Sequence, residues 1–164
     1  MSYLKFERAT MTNLQAVMQK ELLRTNRSGA YSCSTLVDCN TRKYHGLLVT
    51  PVPELDDDNH VLLSSLDCSV VQHGVEFNLG LHKYQGNAYS PNGHKYIRSF
   101  NCDIVPTTIY RVGGVVLRKE LIFQHHQDRI LLRYTLEEGT SQTLLRFRPF
   151  LAFRNVNDLA HENG

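Results

Sequence analysis

Thr107-Thr108-Ile109-Tyr110-Arg111-Val112-Gly113-Gly114-Val115-Val116-Leu117-Arg118-Lys119-Glu120-Leu121-Ile122-Phe123-Gln124 is the stretch that decides the fold. Two runs rich in β-branched and aromatic residues flank a Gly-Gly pair. A two-residue hairpin turn needs positive φ at its central positions, and glycine supplies it, so the text reads strand, turn, strand. The alternation continues downstream at Ile130, Leu132, Tyr134 and Leu136. It resumes after Gly139 at Leu145, Phe147, Leu151 and Phe153, crossing Pro149. Proline cannot donate to a ladder, so this last strand is expected at a sheet edge or at a bulge.

Upstream, residues 60–71 and 75–81 form a second expected hairpin around His73-Gly74. In its second arm Val75, Phe77, Leu79 and Leu81 alternate with Glu76, Asn78 and Gly80, the period of a strand with one wet face. Residues 31–37 and 46–50 add two shorter strands, the second closed by Pro51 and Pro53, and residues 84–95 read as a long loop. The total is about eight to ten strands with no helix to cross between parallel ones, which predicts an all-β, antiparallel sandwich. One helix is expected, near the N-terminus. Thr12 and Gln15 have capping-box spacing, Leu14, Val17, Met18 and Leu22 lie on one helical face, and turn formers follow Arg24. The expected organisation is one domain over residues 1–164, with a leading helical segment at 1–25 and the sandwich at 26–164.

Composition narrows the function. Eighteen basic and sixteen acidic residues leave a charge of +2, too balanced to argue for a nucleic-acid or membrane partner. No apolar run approaches the ~20 residues that span a bilayer. Residues 1–12 lack the apolar core of a secretory signal, which predicts a cytoplasmic protein. Cys33, Cys39, Cys68 and Cys102 show no C-x-x-C spacing and read as reduced, mostly buried thiols. Eight histidines, His161 among them, are scattered without ligand spacing, and the acidic run at 54–59 lacks an EF-hand pattern. Neither a metal nor a cofactor is expected.

The text richest in chemistry is Asn40-Thr41-Arg42-Lys43-Tyr44-His45, directly before a strand. Sugar hydroxyls are both donors and acceptors, and an amide, a guanidinium, a phenol and an imidazole match them. The same residues also suit local backbone satisfaction where a strand begins. Asn40, Arg42, Tyr44 and His45 are the candidate substrate-binding residues. Tyr84, Asn87, Tyr89, Asn92, His94, Lys95 and Tyr96 form a second polar-aromatic cluster, read either as functional or as a packed Ω-type loop. Nucleophile-elbow, P-loop and dinucleotide motifs are missing. Glycoside hydrolysis needs two carboxylates across a pocket, and Asp67, Glu76, Asp103, Glu120 and Asp128 are scattered. No catalytic residue is assigned.

Thr25-Asn26 followed by Gly29-x-Tyr31, and then Asn40-Thr41-Arg42-Lys43-Tyr44-His45-Gly46-Leu47-Leu48-Val49, resemble the N-terminal domain of the bacterial and archaeal type of glycogen debranching enzyme. Val61-Leu62-Leu63-Ser64, Tyr110-Arg111-x-Gly113-Gly114-Val115 and Arg148-Pro149-x-Leu151-x-Phe153-Arg154 match in the same order, from about Glu21 to Leu159. The sequence departs from the family where Leu22-Leu23 replace an aromatic after Glu21, and where Ala30 replaces a second glycine.

The resemblance implies a β-supersandwich that precedes an (α/α)-barrel holding the general acid and base. It implies a parent enzyme that hydrolyses α-1,6-linked glucose stubs on glycogen limit dextrin. The chain is then expected to be a non-catalytic N-terminal fragment that supports the barrel and offers glycogen a binding surface. The alternative is a self-contained mutarotase-like sandwich in which His45 works with Glu76 or Glu120. An exposed edge left by the missing barrel predicts a homodimer of the fragment.

Overall fold

The structure, a computed structural model, describes residues 3–159. Its strands and helices run β1 (Leu4–Glu7), α1 (Arg8–Met11), α2 (Leu14–Val17), β2 (Glu21–Thr25), β3 (Tyr31–Thr35), β4 (Gly46–Pro51), β5 (Asn59–Gln72), β6 (Val75–Asn78), β7 (His82–Lys83), β8 (Tyr89–Ser90), β9 (Ile97–Cys102), β10 (Pro106–Val112), β11 (Val115–Phe123), β12 (Ile130–Glu138) and β13 (Leu144–Asn155). Two antiparallel sheets face each other. One has the order β1-β9-β10-β11-β12, the other β13-β5-β4-β3-β2 with β6 added to β5, and β7 and β8 form a separate ribbon. The all-β sandwich is therefore the architecture. Among the described residues no helix is long and apolar enough to cross a membrane.

The deciding hairpin forms as its residues require. Gly113 and Gly114 have φ of 57° and 80°, and Val112 pairs with Val115 across the turn. Leu117 and Val115 are fully buried, and with Val70, Cys68, Ile97 and Tyr110 they build the core between the sheets. Gln72 and Val75 close the second hairpin. β13 is an edge strand, and its register shifts immediately after Phe150, so the chain accommodates Pro149 by both of the expected routes.

The single N-terminal helix is corrected. Thr12 does not cap: its hydroxyl donates back to the Arg8 carbonyl at 2.9 Å and closes α1. Asn13 caps α2 instead, accepting from the Ala16 N–H at 3.1 Å. The helix stops at Val17, and Glu21–Thr25 pairs residue for residue with β3. Tertiary pairing overrides helical periodicity here, so residues 4–25 of the leading segment are strand, two short helices, strand. The expected strand count is also low. β1, β2, β7, β8 and β9 are additional to the expected strands, and β9 hides its period because its pairing with β10 is irregular between Ile109 and Tyr110. His161 lies outside the described residues. The expected loop at 84–95 holds β8 and short 3₁₀ turns, with Tyr89 and Tyr96 packed against the core and His94 buried.

All four cysteines are buried free thiols. Lys119 points into the sandwich, where its ammonium pairs with Asp38, a residue of the β3–β4 connection. Around that pair the space between the sheets is lined by Ser32, Ser34, Ser64 and Ser65 as well as by leucines, so this end of the interior is polar.

Candidate functional site

The β2–β3 register places Glu21, Leu23 and Thr25 opposite Thr35, Cys33 and Tyr31, so these side chains share the sheet face turned away from the second sheet. Cys33 in turn stands opposite Gly46, which delivers the preceding residues 40–45 beside Glu21. A groove of about 370 Å³ results, lined by Leu23, Thr25, Arg27, Tyr31, Cys33 and Tyr44. That volume lies within the range of small-molecule sites.

The predicted residues divide into two groups. Arg42 and Tyr44 are on the surface beside the groove. The Arg42 Nε–H donates to Glu21 Oε1, the Tyr44 hydroxyl lies 3.4 Å from Glu21 Oε2, and the Tyr31 hydroxyl donates to the Tyr44 carbonyl at 3.0 Å. Asn40 and His45 turn inward. The Asn40 amide donates to the Ser64 carbonyl at 2.8 Å and accepts from the Ser34 hydroxyl at 2.8 Å, which leaves it facing the polar space between the sheets. His45 is 0% exposed, and its Nδ1 accepts from the Thr41 N–H at 3.0 Å. These two residues position the loop. The loop is also tied to the end of β13, where Arg154 donates to the Lys43 carbonyl at 2.7 Å and Lys43 to the Asn157 carbonyl at 3.0 Å.

Glu21 is the central residue that the sequence reading missed, because it was assigned to a helix. The signal available was the cluster of turn formers from Thr25 to Gly29 directly before the strand expected at 31–37, which suits a hairpin whose first arm is residues 21–25. The side-chain hydrogen bond from Arg42 holds the Glu21 carboxyl below the usual range, against a burial effect that raises it. Glu21, Cys33 and His45 also bring one ligand-type atom each within 4.8 Å of one another. The donor chemistry opposes a cation there. Because His45 Nδ1 accepts a hydrogen bond, the ring proton sits on Nε2, 3.4 Å from Glu21 Oε1. A metal-bound imidazole instead donates from its second nitrogen.

Burial pulls the His45 pKa down, and the nearby Glu21 carboxylate only partly counters it. His94 is lowered in the same way, by burial and then by Lys95. In an unfolded chain both take up a proton near pH 6.5, while in the fold they do so only at lower pH. Stability is therefore indifferent to these groups above about pH 6.5 and falls as the pH drops below it. We expect thermal melts to show that decline between pH 7 and 5. A His45→Asn variant, whose amide oxygen can still accept from Thr41, should show a shallower slope with the remainder due to His94. An unchanged slope would remove His45 as a cause.

The alternative pairing of His45 with Glu76 or Glu120 is not formed. Glu76 pairs with Arg146, and Glu120 takes a two-pronged bond from Arg133 at 2.7 and 2.8 Å. Among the described residues Glu21 is the one carboxylate bonded to the residues of this groove. The profile of the family described as "Glycogen debranching enzyme N terminal" matches residues 20–164, from just before β2 to the end of the sequence. No curated protein and no solved structure matched the chain.

Proposed function

Because the chain belongs to the family of glycogen debranching enzyme N-terminal domains, we propose that it is the non-catalytic sandwich domain of such an enzyme and holds α-glucan at the groove between β2, β3 and the 40–45 loop. In this reading the parent hydrolyses α-1,6 branch stubs on limit dextrin in the cytoplasm, and its catalytic barrel lies in a further domain that the sandwich supports. Four buried free thiols suit a reducing compartment. The observation that carries the glucan assignment is the pairing of two tyrosines on an apolar floor with a charged hydrogen-bonding rim. Tyr31 and Tyr44 offer ring faces and edges to a sugar, while Arg42 and Glu21 offer donors and acceptors to its hydroxyls. The non-catalytic assignment is supported by Glu21 being held ionised by Arg42, which unfits it as a general acid.

Affinity electrophoresis of the chain through glycogen-containing gels tests this. Wild type should be retarded, and Tyr44→Ala and Arg42→Ala should each weaken retention about tenfold, a loss typical of removing one well-placed contact. Arg111→Ala, at an exposed position of β10 in the other sheet, should be retained like wild type. Equal migration with and without glycogen would end the glucan assignment. Release of glucose from limit dextrin by the chain would end the non-catalytic one.

A further inference from the structure

β12 forms one edge of its sheet, and the side chains along it are half-exposed or exposed. A free edge is a template for another strand, and proteins usually blunt it with charged side chains, proline or bulges. β13, the neighbouring edge of the other sheet, is blunted in that way: it carries Arg146, Arg148, Arg154 and Pro149 and no acidic residue. β12 instead carries charges of both signs. Its sequence, Ile130-Leu131-Leu132-Arg133-Tyr134-Thr135-Leu136-Glu137-Glu138, places opposite charges symmetrically about Thr135.

We propose that β12 is a homodimer interface, pairing antiparallel with β12 of a second copy about a two-fold axis through Thr135. That register sets Thr135 against Thr135 of the second copy and brings Arg133 to Glu137 of the second copy, twice; Glu137 is the extra residue of a bulge against β11, and its bond to Arg118 keeps it beside the same row of charges. Both residues already have partners in their own chain: Arg133 bonds Glu120, and Glu137 lies 2.8 Å from Arg118. The outer face of the joined sheet then carries two rows of alternating sign. Each runs Glu120, Arg133, then Glu137 and Arg118 of the second copy. Directly opposed unlike charges and threonine pairs both favour a strand pairing, whereas like charges oppose it.

The inner face points to the same axis. Tyr134 falls opposite Leu136 of the second copy, and Leu136 is 47% exposed in the single chain. Phe147 of β13 rests against Tyr134 at 5.0 Å between ring centroids yet remains 44% exposed, because the sandwich is open between β12 and β13. Pairing of two β12 edges sets two such mouths against each other and covers both. The interface is isologous and closes on itself, so it yields a dimer and not a filament.

Sedimentation of the 164-residue chain tests the proposal. Wild type should show a concentration-dependent monomer–dimer equilibrium. Arg133→Glu and Glu137→Arg should each raise the dimer dissociation constant at least about tenfold, because each puts like charges opposite one another twice. An equimolar mixture of the two variants should dimerise again, since both cross-strand pairs are then complementary. A monomeric wild type would overturn the proposal, and so would dimers that persist in both variants or a mixture that fails to associate. Thr135→Cys leaves the charges untouched and covers the case in which a charge variant misfolds. It should form a covalent dimer on mild oxidation, because cross-strand Cβ atoms in direct opposition lie roughly 4.5–5.5 Å apart, near disulfide reach. A wild-type dimer whose Thr135→Cys form resists cross-linking would place the interface elsewhere.

Discussion

Asp38→Asn should lower the unfolding free energy by about 2 kcal/mol, and adding Lys119→Met should restore most of that loss. Lys119 is 8% exposed and lies inside the sandwich against Tyr110 and Tyr134. Burial is the largest influence on its pKa and lowers it, but the Asp38 carboxylate together with Tyr134 and Tyr110 outweighs this and raises the pKa, so the ammonium stays charged between the sheets. Removing one partner of a fully buried pair costs roughly 3–5 kcal/mol, because the other charge is left stranded. The Asp38 side chain is 42% exposed, so water reaches part of the site and the lower figure applies. Asparagine is the right probe because position 38 has φ of 57°, a conformation that Asn tolerates and Ala does not. Methionine matches lysine in length and suits the leucines that line the same space. Chemical denaturation of the two single variants and the double variant measures the coupling. If Asp38→Asn proves neutral, Lys119 draws its stabilisation from elsewhere. If the double variant is no better than Asp38→Asn alone, a stranded charge is not what costs stability.

That pair also shows where sequence reading stops. Inward positions along β11 run Val115, Leu117, Lys119 and Phe123, so alternation alone marks Lys119 as a charge in an apolar series. Its partner lies 81 residues away in a connection without regular structure, and no local pattern connects the two. Hairpins were legible because glycine turns and alternation are local, and the edge position of β13 was legible because Pro149 lacks an N–H. The N-terminal segment was not. Leu14, Val17, Met18 and Leu22 fit a helical stripe, yet Leu22 reaches the same core from a strand, because Glu21–Thr25 gains more by pairing with β3. The candidate site suffered from the same error. Arg42 and Tyr44 stood out as loop residues, whereas Glu21, which both contact, was hidden in the misread helix. His45 and Asn40 looked equally available in the text, and only burial separates them from the surface pair.

Gly93→Ala should be the most destructive small substitution in the chain, costing about 3 kcal/mol or more and leaving little folded protein. A methyl at that position would lie 2.1 Å from both the carbonyl carbon and the oxygen of Leu79, and 2.6 Å from the Gly80 oxygen. These are backbone atoms, and they cannot step aside without moving the segment that runs from β6 to β7. The close approach is itself held by a hydrogen bond, from the Gly93 N–H to the Gly80 carbonyl at 3.0 Å, so the packing and the bond fail together. Overpacking usually costs 1–3 kcal/mol because side chains relax around the added volume, and here no side chain takes part. Gly46→Ala is the graded comparison. Its methyl would meet Val49 Cγ2 at 2.7 Å and Val61 Cγ1 at 2.9 Å, two stiff side chains in a fully buried setting. It should cost about 2 kcal/mol and leave a folded, weaker protein. Soluble yield and thermal midpoint, measured side by side, give the ranking. A Gly93→Ala protein at least as stable as Gly46→Ala would mean that the Gly93 and Leu79 backbones are not in contact. The seating of the β7–β8 ribbon and its 3₁₀ turns over the core would then need revision.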